Sequence, residues 1–338
     1  MTRDFTLEDY FFANKIVSIV NSTISAVGIL GNSLLLITIL RSNHFQSVCS
    51  SLIAIQAFAE IIYPASYFSM LYVSFQELTV TRLNCFWYQL VPLTAANFSI
   101  ALMPIVAFDR FVSLKFPLWS TTGSATVPEA WPSSPRLATI SATDPHFDLC
   151  FLDSRYTTLN RRWYLFSVLT IPCLYSIATA ALGLLYLDSE LVVCRIPDGL
   201  AGRAAKIWVI SQVFIALVVL TIYFLVRSEL NQRTGHSRDV NISTNRSLQI
   251  TSIVYVFGYT LFSIICLTAI FLKDHYLFLI MTTIASTFAL FNITAPVFVF
   301  YKCSHLYRRE IIGTIRIFVK TSVIKVKKST SLEQNCVH

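Results

Sequence analysis

The chain has 338 residues, of which 55% are hydrophobic and only 13% carry a charge. Soluble domains carry charge on about a quarter of their residues, so this composition excludes an ordinary soluble domain and indicates a membrane protein. The net charge of +8 does not indicate nucleic-acid binding, because most basic residues lie in loops on one side of the predicted membrane spans.

Seven mostly apolar stretches of 20 to 26 residues follow one another along the chain. About 20 apolar residues cross the hydrocarbon core as a helix, since each backbone polar group must bond within its own segment. We therefore predict an all-α membrane protein, a bundle of seven transmembrane helices over residues 16–301. The predicted spans are 16–40, 48–73, 86–108, 163–187, 207–226, 248–272 and 276–301.

The loops between the spans predict the orientation of the bundle. If residues 1–15 form an extracellular N-terminus, 19 of the 26 Lys and Arg residues lie on the cytoplasmic side. Because positive residues are retained in the cytoplasm, this asymmetry places the N-terminus outside and the C-terminus inside. The basic side then faces the anionic lipids of the inner leaflet and acidic protein partners.

One charge, Glu60, lies within the predicted spans. A charged side chain at the centre of a bilayer costs roughly 2.5–3.5 kcal/mol on insertion scales, so it usually faces the bundle interior or a wet cavity. Glu60 is therefore the strongest functional candidate inside the membrane.

The cysteines predict one extracellular disulfide. In this topology only Cys85, before the third span, and Cys194, between the fourth and fifth spans, lie on the outer side. Disulfides form on the oxidising side of the membrane, so these two are the one pair available there.

The link between the third and fourth spans contains an unusual segment, residues 120–154. It is rich in Ser, Thr, Ala and Pro, lacks hydrophobic periodicity and carries net negative charge on an otherwise basic side. This composition is typical of disorder. Removing the segment leaves a link of ordinary length, so we interpret it as a disordered insertion, either specific to a lineage or produced by a mis-spliced gene model.

Residues 302–338 are predicted to form a cytoplasmic tail. Apolar and basic residues alternate at near-helical spacing over about 303–320, which predicts an amphipathic helix on the inner leaflet. Cys303 directly follows the last span and is a candidate for palmitoylation, the alternative being a plain free thiol.

Several different short motifs lie in or beside the spans at defined spacings. They are Gly31-Asn32, Glu60, Cys85, Asp109-Arg110-Phe111, Asn292 and Pro296. Asn32 and Glu60 are 28 residues apart, and Cys85 and Arg110 are 25 apart. With these residues and spacings the chain resembles the rhodopsin-like G-protein-coupled receptors.

A closer resemblance is to the nematode chemosensory serpentine receptors of the srsx class. It covers about residues 20–310, interrupted at 120–154. The segments that carry it are 31–34, 49–60, 85–87, 108–117, 292–296 and 300–301. The resemblance implies a chemosensory receptor of the plasma membrane, in sensory neurons or their cilia. Such a receptor binds an extracellular small molecule or peptide and activates a heterotrimeric G protein.

The resemblance also implies a polar switch cluster in the middle of the bundle, formed by Asn32, Glu60, Ser99 and Asn292 near Pro296. In relatives this cluster binds sodium and changes shape on activation. Relatives carry Asp where this chain has Glu60. The alternative to a sodium site is therefore a protonated Glu60 that is hydrogen-bonded to Asn32 or Asn292.

Asp109-Arg110-Phe111 is the predicted site of G-protein coupling, at the cytoplasmic end of the third span. The carboxylate of Asp109 can hold the Arg110 guanidinium at rest. Once released, this planar donor fork would cap the last carbonyls of a partner helix. The alternative is an arginine that only marks the membrane edge.

The outer half of the bundle is the expected ligand site. Few charges lie near the outer ends of the spans, which favours a small neutral or weakly polar ligand. The candidate side chains, each of which has packing as its alternative role, are Thr94, Asn97, Tyr255, Tyr259, Thr282 and Thr283.

Two other function classes are considered. A transporter or channel would show inverted repeats and more charge at mid-membrane depth, and the sequence shows neither. A membrane enzyme would need a catalytic or metal-ligand cluster, whereas the six His residues are scattered and none lies in a span. We therefore expect a non-enzymatic receptor, with no cofactor or metal besides the sodium ion considered above.

Overall fold

The computed structural model describes residues 7–42, 45, 48–115, 158–192, 194–195, 199–200, 202–233, 250, 254, 257–258, 260–262, 264–269 and 275–335. Almost all of this part of the chain is helical. The helices are α1 (Leu7–Arg41), α2 (Val48–Phe75), α3 (Arg82–Lys115), α4 (Thr158–Leu185), α5 (Gly202–Arg233), α6 (Thr260–Ala269), α7 (His275–Cys303) and α8 (His305–Asn335). Two short strands, β1 (Val80–Thr81) and β2 (Leu191–Val192), pair antiparallel.

The helices form the predicted seven-helix bundle. α3 packs against α2, α4 and α5, while α1 packs against α2 and α7. Six helices in the described ranges are long and apolar enough to cross a membrane. Much of the sixth predicted span, 248–272, lies outside the described residues, and α6 is a shorter apolar helix within it.

The outer wall of the bundle is apolar. Leu30, Leu40 and Phe224 are each more than 70% exposed, and many other large apolar side chains point away from the bundle in the same way. A soluble monomer rarely exposes so much contiguous apolar surface. Hydrocarbon is therefore the solvent of this wall, and the chain is a multi-pass membrane protein.

The helices extend beyond the predicted spans at several ends. α1 begins at Leu7 rather than at residue 16, because its first turns find polar partners on α2 and the loop after it. Asn14 Nδ2 donates to Ser74 Oγ at 2.7 Å, and Lys15 Nζ pairs with Glu77 Oε1 at 2.6 Å. Hydropathy identifies only the part of a helix that lies in lipid, so the sequence places these polar turns in the N-terminal segment 1–15.

α1 and α7 approach each other closely at two glycines. A Cβ on Gly31 would lie 2.6 Å from Val297 Cγ1, and one on Gly28 would lie 2.7 Å from Thr294 Oγ1. Small residues allow helix backbones to come together in this way. The contact places Asn32, which follows Gly31, against the backbone of α7.

α8 begins two residues after α7 ends and is longer than the predicted amphipathic helix of 303–320. The ring of Tyr307 stacks on Phe45 and Phe300, with centroids 4.4 and 4.8 Å away. Further along α8, Ile315 and Phe318 are exposed. One face therefore packs on the bundle, while apolar side chains remain available to the inner leaflet. Cys303, at the end of α7, is half-buried.

Candidate functional site

The outer end of the bundle is closed by a covalently anchored link. Cys85, in the first turn of α3, forms a disulfide with Cys194, which lies just after β2. Arg82 adds ion pairs to Asp188 and Glu190, the second with Nη2 and Oε2 2.8 Å apart. The link between α4 and α5 is thereby held across the outer end of α3.

A cavity of about 20 Å³ lies under this link. It has room for about one water-sized group. Side chains from α2, α3, α7 and the link form its wall. The residues that line it are Ser66, Tyr67, Met70, Gln89, Arg195, Thr282, Thr283 and Ser286.

Arg195 brings a positive charge into this cavity. It directly follows the disulfide cysteine Cys194, is only 4% exposed, and donates a hydrogen bond from Nη1 to Thr283 Oγ1 on α7. Of the eight described lining residues, Arg195 is the one that is charged. The cavity is therefore polar and positive, although its arginine belongs to what the sequence presents as a loop.

Gln89 lines the same cavity from α3, one turn after Cys85. Its side chain is 1% exposed, and Nε2 donates to the carbonyl oxygen of Cys194 at 3.4 Å. Its Oε1 is buried and has no hydrogen-bond partner among the described residues. The cavity thus combines a cation with an unsatisfied acceptor, both fixed to the disulfide.

The six predicted ligand residues have different surroundings. Thr282 and Thr283 line the cavity. Thr94 donates to the Val91 carbonyl of its own helix at 2.9 Å. Asn97 is buried, and its Oδ1 accepts hydrogen bonds from two side chains of α5, Trp208 Nε1 at 2.8 Å and Gln212 Nε2 at 3.1 Å. Tyr255 and Tyr259 lie outside the described residues.

Several cavity residues were missed by sequence reasoning. Arg195 directly follows Cys194 and Gln89 lies one turn after Cys85, but closeness to the predicted disulfide does not show that either side chain points into the bundle. Tyr67 and Ser286 carried no signal, because polar residues are common along the spans and their orientation depends on the packing of α2 and α7.

The second polar site lies midway through the bundle, around Glu60. This side chain is 2% exposed, and its Oε1 accepts hydrogen bonds from Gln56 Nε2 at 2.8 Å and from Ser99 Oγ at 3.1 Å. The predicted pair Glu60 and Ser99 therefore joins α2 to α3. Gln56 was not among the predicted residues, although its position four residues before Glu60 puts it on the same helix face.

The asparagines of the predicted cluster bond elsewhere or face another helix. Asn32 Nδ2 donates to the Ile293 carbonyl of α7 at 3.2 Å rather than to Glu60, and its Oδ1 is buried without a partner among the described residues. Asn292 is 1% exposed, and its amide lies against the backbone of Gly258. Pro296 lies one turn further along α7 and is also buried.

The groups around Glu60 do not fit a sodium site well. A hard cation needs several oxygen ligands, whereas Glu60 Oε1 already accepts hydrogen bonds from an amide and a hydroxyl group. Within the described ranges no three His, Cys, Asp or Glu residues lie close enough together to hold a metal ion. The arrangement fits a hydrogen-bonded carboxyl group rather than a sodium ligand.

At the cytoplasmic end, α3 is tied to two neighbouring helices. Asp109 Oδ1 accepts a hydrogen bond from the Tyr164 hydroxyl of α4 at 3.0 Å. Phe111 packs against Val226 of α5. The side chain of Arg110 lies outside the described residues. Two of the three predicted coupling residues therefore contact helices that flank α3.

Comparison with known proteins gives one match. The family model described as serpentine type 7TM GPCR chemoreceptor Srsx matches residues 25–122 and 147–315, which is more than half of the chain. The residues between the two matched parts, 123–146, fall within the segment interpreted as an insertion. No curated protein matches the chain. The family match confirms the resemblance to the serpentine receptors of the srsx class.

Proposed function

We propose a receptor function from the premise that the chain belongs to the Srsx family of serpentine seven-transmembrane chemoreceptors. In this proposal the protein lies in the plasma membrane of sensory cells. It binds an extracellular ligand in the outer half of the bundle and activates a heterotrimeric G protein at the cytoplasmic end.

One observation carries the proposal: the same two helices, α2 and α3, contribute to both buried polar sites. α2 supplies Tyr67 to the outer cavity and Glu60 to the inner cluster, and α3 supplies Gln89 and Ser99. α7 supplies Thr283 to the cavity. A ligand that binds more tightly to one arrangement of these helices will shift the population of the inner cluster.

The cytoplasmic end offers a means of passing this shift to a partner. A movement that separates α3 from α4 or α5 would weaken the Asp109–Tyr164 hydrogen bond or the packing of Phe111 on Val226. Arg110 would then present its donor fork to the carbonyl groups at the C-terminus of a G-protein helix.

Signalling by the full-length receptor tests the proposal. Cells that co-express the receptor and a promiscuous G protein are screened with candidate odorants and metabolites, and the active compounds are retested on variants. We expect Arg110→Ala to reach the surface and lose the evoked response, because the donor fork is gone. Arg162→Ala, at an exposed arginine of α4, is the matched control and should respond normally. A full response from Arg110→Ala would contradict the proposed coupling role.

A further inference from the structure

We propose that the ligand is a small molecule with a carboxylate group and a nearby hydrogen-bond donor. Arg195 binds the carboxylate in the outer cavity, and Gln89 accepts the hydrogen bond from the donor. The inference rests on the proposed receptor function and gives its ligand a chemical class. It also departs from the neutral or weakly polar ligand that the sequence favours, because the sequence does not show that Arg195 folds inward.

The first support is the position of Arg195. Arg195 lines the cavity, is 4% exposed and donates a hydrogen bond to Thr283 Oγ1. Its backbone is held by the adjacent disulfide of Cys194. An arginine fixed in this way is preorganised, and its planar fork of donors matches the two oxygens of a carboxylate.

The second support is the electrostatic character of the wall. Apart from Arg195, the described lining residues are neutral, and hydroxyl groups come from Ser66, Tyr67, Thr282, Thr283 and Ser286. Hydroxyl groups donate hydrogen bonds to anionic oxygens. Because the field of a charge is stronger where water is scarce, the cavity attracts anions and repels cations.

The third support is the unsatisfied acceptor on Gln89. Its Oε1 is buried in the same wall with no hydrogen-bond partner in the described part of the chain, and leaving such a group unpaired is unfavourable. A hydroxyl or amino group on the ligand would satisfy it. Gln89 also donates to the carbonyl of Cys194 at 3.4 Å, so the acceptor and the arginine are adjacent to one peptide segment. The two ligand groups should therefore be close neighbours, as in a 2-hydroxy acid.

The volume sets a limit on size. The cavity of about 20 Å³ has room for about one water-sized group in this state. The carboxylate and the neighbouring donor of the ligand therefore enter only if the wall of the cavity moves outward on binding. A peptide, the other ligand considered from the sequence, would have to enter by a single terminal carboxylate.

Thermal unfolding of the purified full-length receptor in detergent tests the proposal without a G protein. The probes are lactate, glycolate and mandelate, their amides, and their deoxy analogues propionate, acetate and phenylacetate, all at equal ionic strength. We expect at least one hydroxy acid to raise the unfolding temperature more than its deoxy analogue does, and its amide to have no effect.

The variants assign this binding to the cavity. Arg195→Gln should weaken the apparent affinity for the hydroxy acid by roughly 10- to 100-fold, as expected when a hydrogen bond to a charged group is lost. Arg203→Gln, at an exposed arginine on the same side of the bundle, is the control and should bind as the wild type does. Gln89→Leu should remove the preference for the hydroxy acid over its deoxy analogue. If Arg195→Gln does not fold, Thr283→Val replaces it and should weaken binding as well.

Three results would overturn the proposal: no carboxylate stabilises the wild type, the amides stabilise it equally, or the cavity variants bind like the wild type. Failure of the receptor function is distinguishable from these. A hydroxy acid that binds through Arg195 but evokes no G-protein response would leave the carboxylate site standing and contradict the proposed function. Neutral compounds that evoke a G-protein response, with no carboxylate bound, would support the receptor function and contradict the carboxylate site.

Discussion

Among the described residues, two acidic or basic side chains are buried in the bundle, Arg195 in the outer cavity and Glu60 in the inner cluster, and their surroundings differ in kind. Glu60 lies between two helices, and its Oε1 accepts hydrogen bonds from Gln56 and Ser99. Arg195 comes from a link between helices and lines an open space next to an unsatisfied acceptor. The carboxyl group of the inner site finds its hydrogen-bond donors within the protein, whereas in our proposal the outer site receives a group from a ligand.

This difference predicts that the two sites respond differently to mutation. Changes at the outer site should alter which compounds bind. Changes at the inner site should alter the balance between bundle states for every compound.

Loss of the disulfide should have the largest effect. Cys85→Ser or Cys194→Ser removes a cross-link between positions 109 residues apart, which is expected to cost about 2–5 kcal/mol of folding free energy. It also releases the segment that carries Arg195. We expect poor surface delivery, measured by labelling intact cells, and loss of carboxylate binding by any receptor that does reach the surface.

The control for the disulfide variants is Cys173→Ser, which removes an exposed thiol from α4. It should change neither surface delivery nor carboxylate binding. If both disulfide variants reach the surface and bind normally, the position of the α4–α5 link over the outer cavity does not depend on the cross-link.

Replacement of Glu60 by Leu should be nearly as damaging. The buried donors of Gln56 and Ser99 would lose their shared acceptor, at about 1–3 kcal/mol for each group left unsatisfied. Glu60→Gln retains an acceptor oxygen at this position and should fold nearly as well as the wild type. We expect Glu60→Leu to lower the unfolding temperature and Glu60→Gln to change basal signalling.

Ligand selectivity separates this site from the outer one. In Glu60→Gln the order of preference among hydroxy acids, deoxy acids and amides should stay as in the wild type. A changed order would show that the two sites are not separate in function.

A methyl group on Gly258 should have a smaller effect. A Cβ at this position would overlap the amide of Asn292, and overpacking of this kind typically costs about 1–3 kcal/mol. We expect Gly258→Ala to lower the unfolding temperature and to change basal signalling, because α7 must move away. Gly313→Ala in α8 has no described heavy atom within 4 Å of the new Cβ and is the matched control. Equal unfolding temperatures for the two variants would rule out close packing at Gly258.

The parts of the molecule that follow from local chemistry were predictable from the sequence. Hydropathy alone identifies a seven-helix bundle, because helices in lipid must be long and apolar. Cys85 and Cys194 could be paired because the topology leaves no other outer cysteines. Glu60 was recognisable because a charge in an apolar stretch has few structural explanations.

The parts that depend on folding over long distances were not predictable. Arg195 reads as one more basic loop residue until the disulfide and the packing of α7 bring it next to Thr283. Asp109 was expected to hold Arg110, and its contact with the hydroxyl of Tyr164 depends on how α4 packs on α3. The close approach of Gly258 to the amide of Asn292 likewise depends on how the sixth span packs against α7.

Coupling between the outer cavity and the cytoplasmic end is the central claim, and linkage gives its most direct test. The most active compound of the cell screen is radiolabelled, and its affinity for the full-length receptor in lipid nanodiscs is measured with and without a nucleotide-free heterotrimeric G protein. Coupling between two sites is reciprocal and typically amounts to about 1–3 kcal/mol. We therefore predict that the G protein tightens binding by roughly 5- to 150-fold in the wild type and has no effect on Arg110→Ala. An affinity that the G protein leaves unchanged in the wild type would contradict the account.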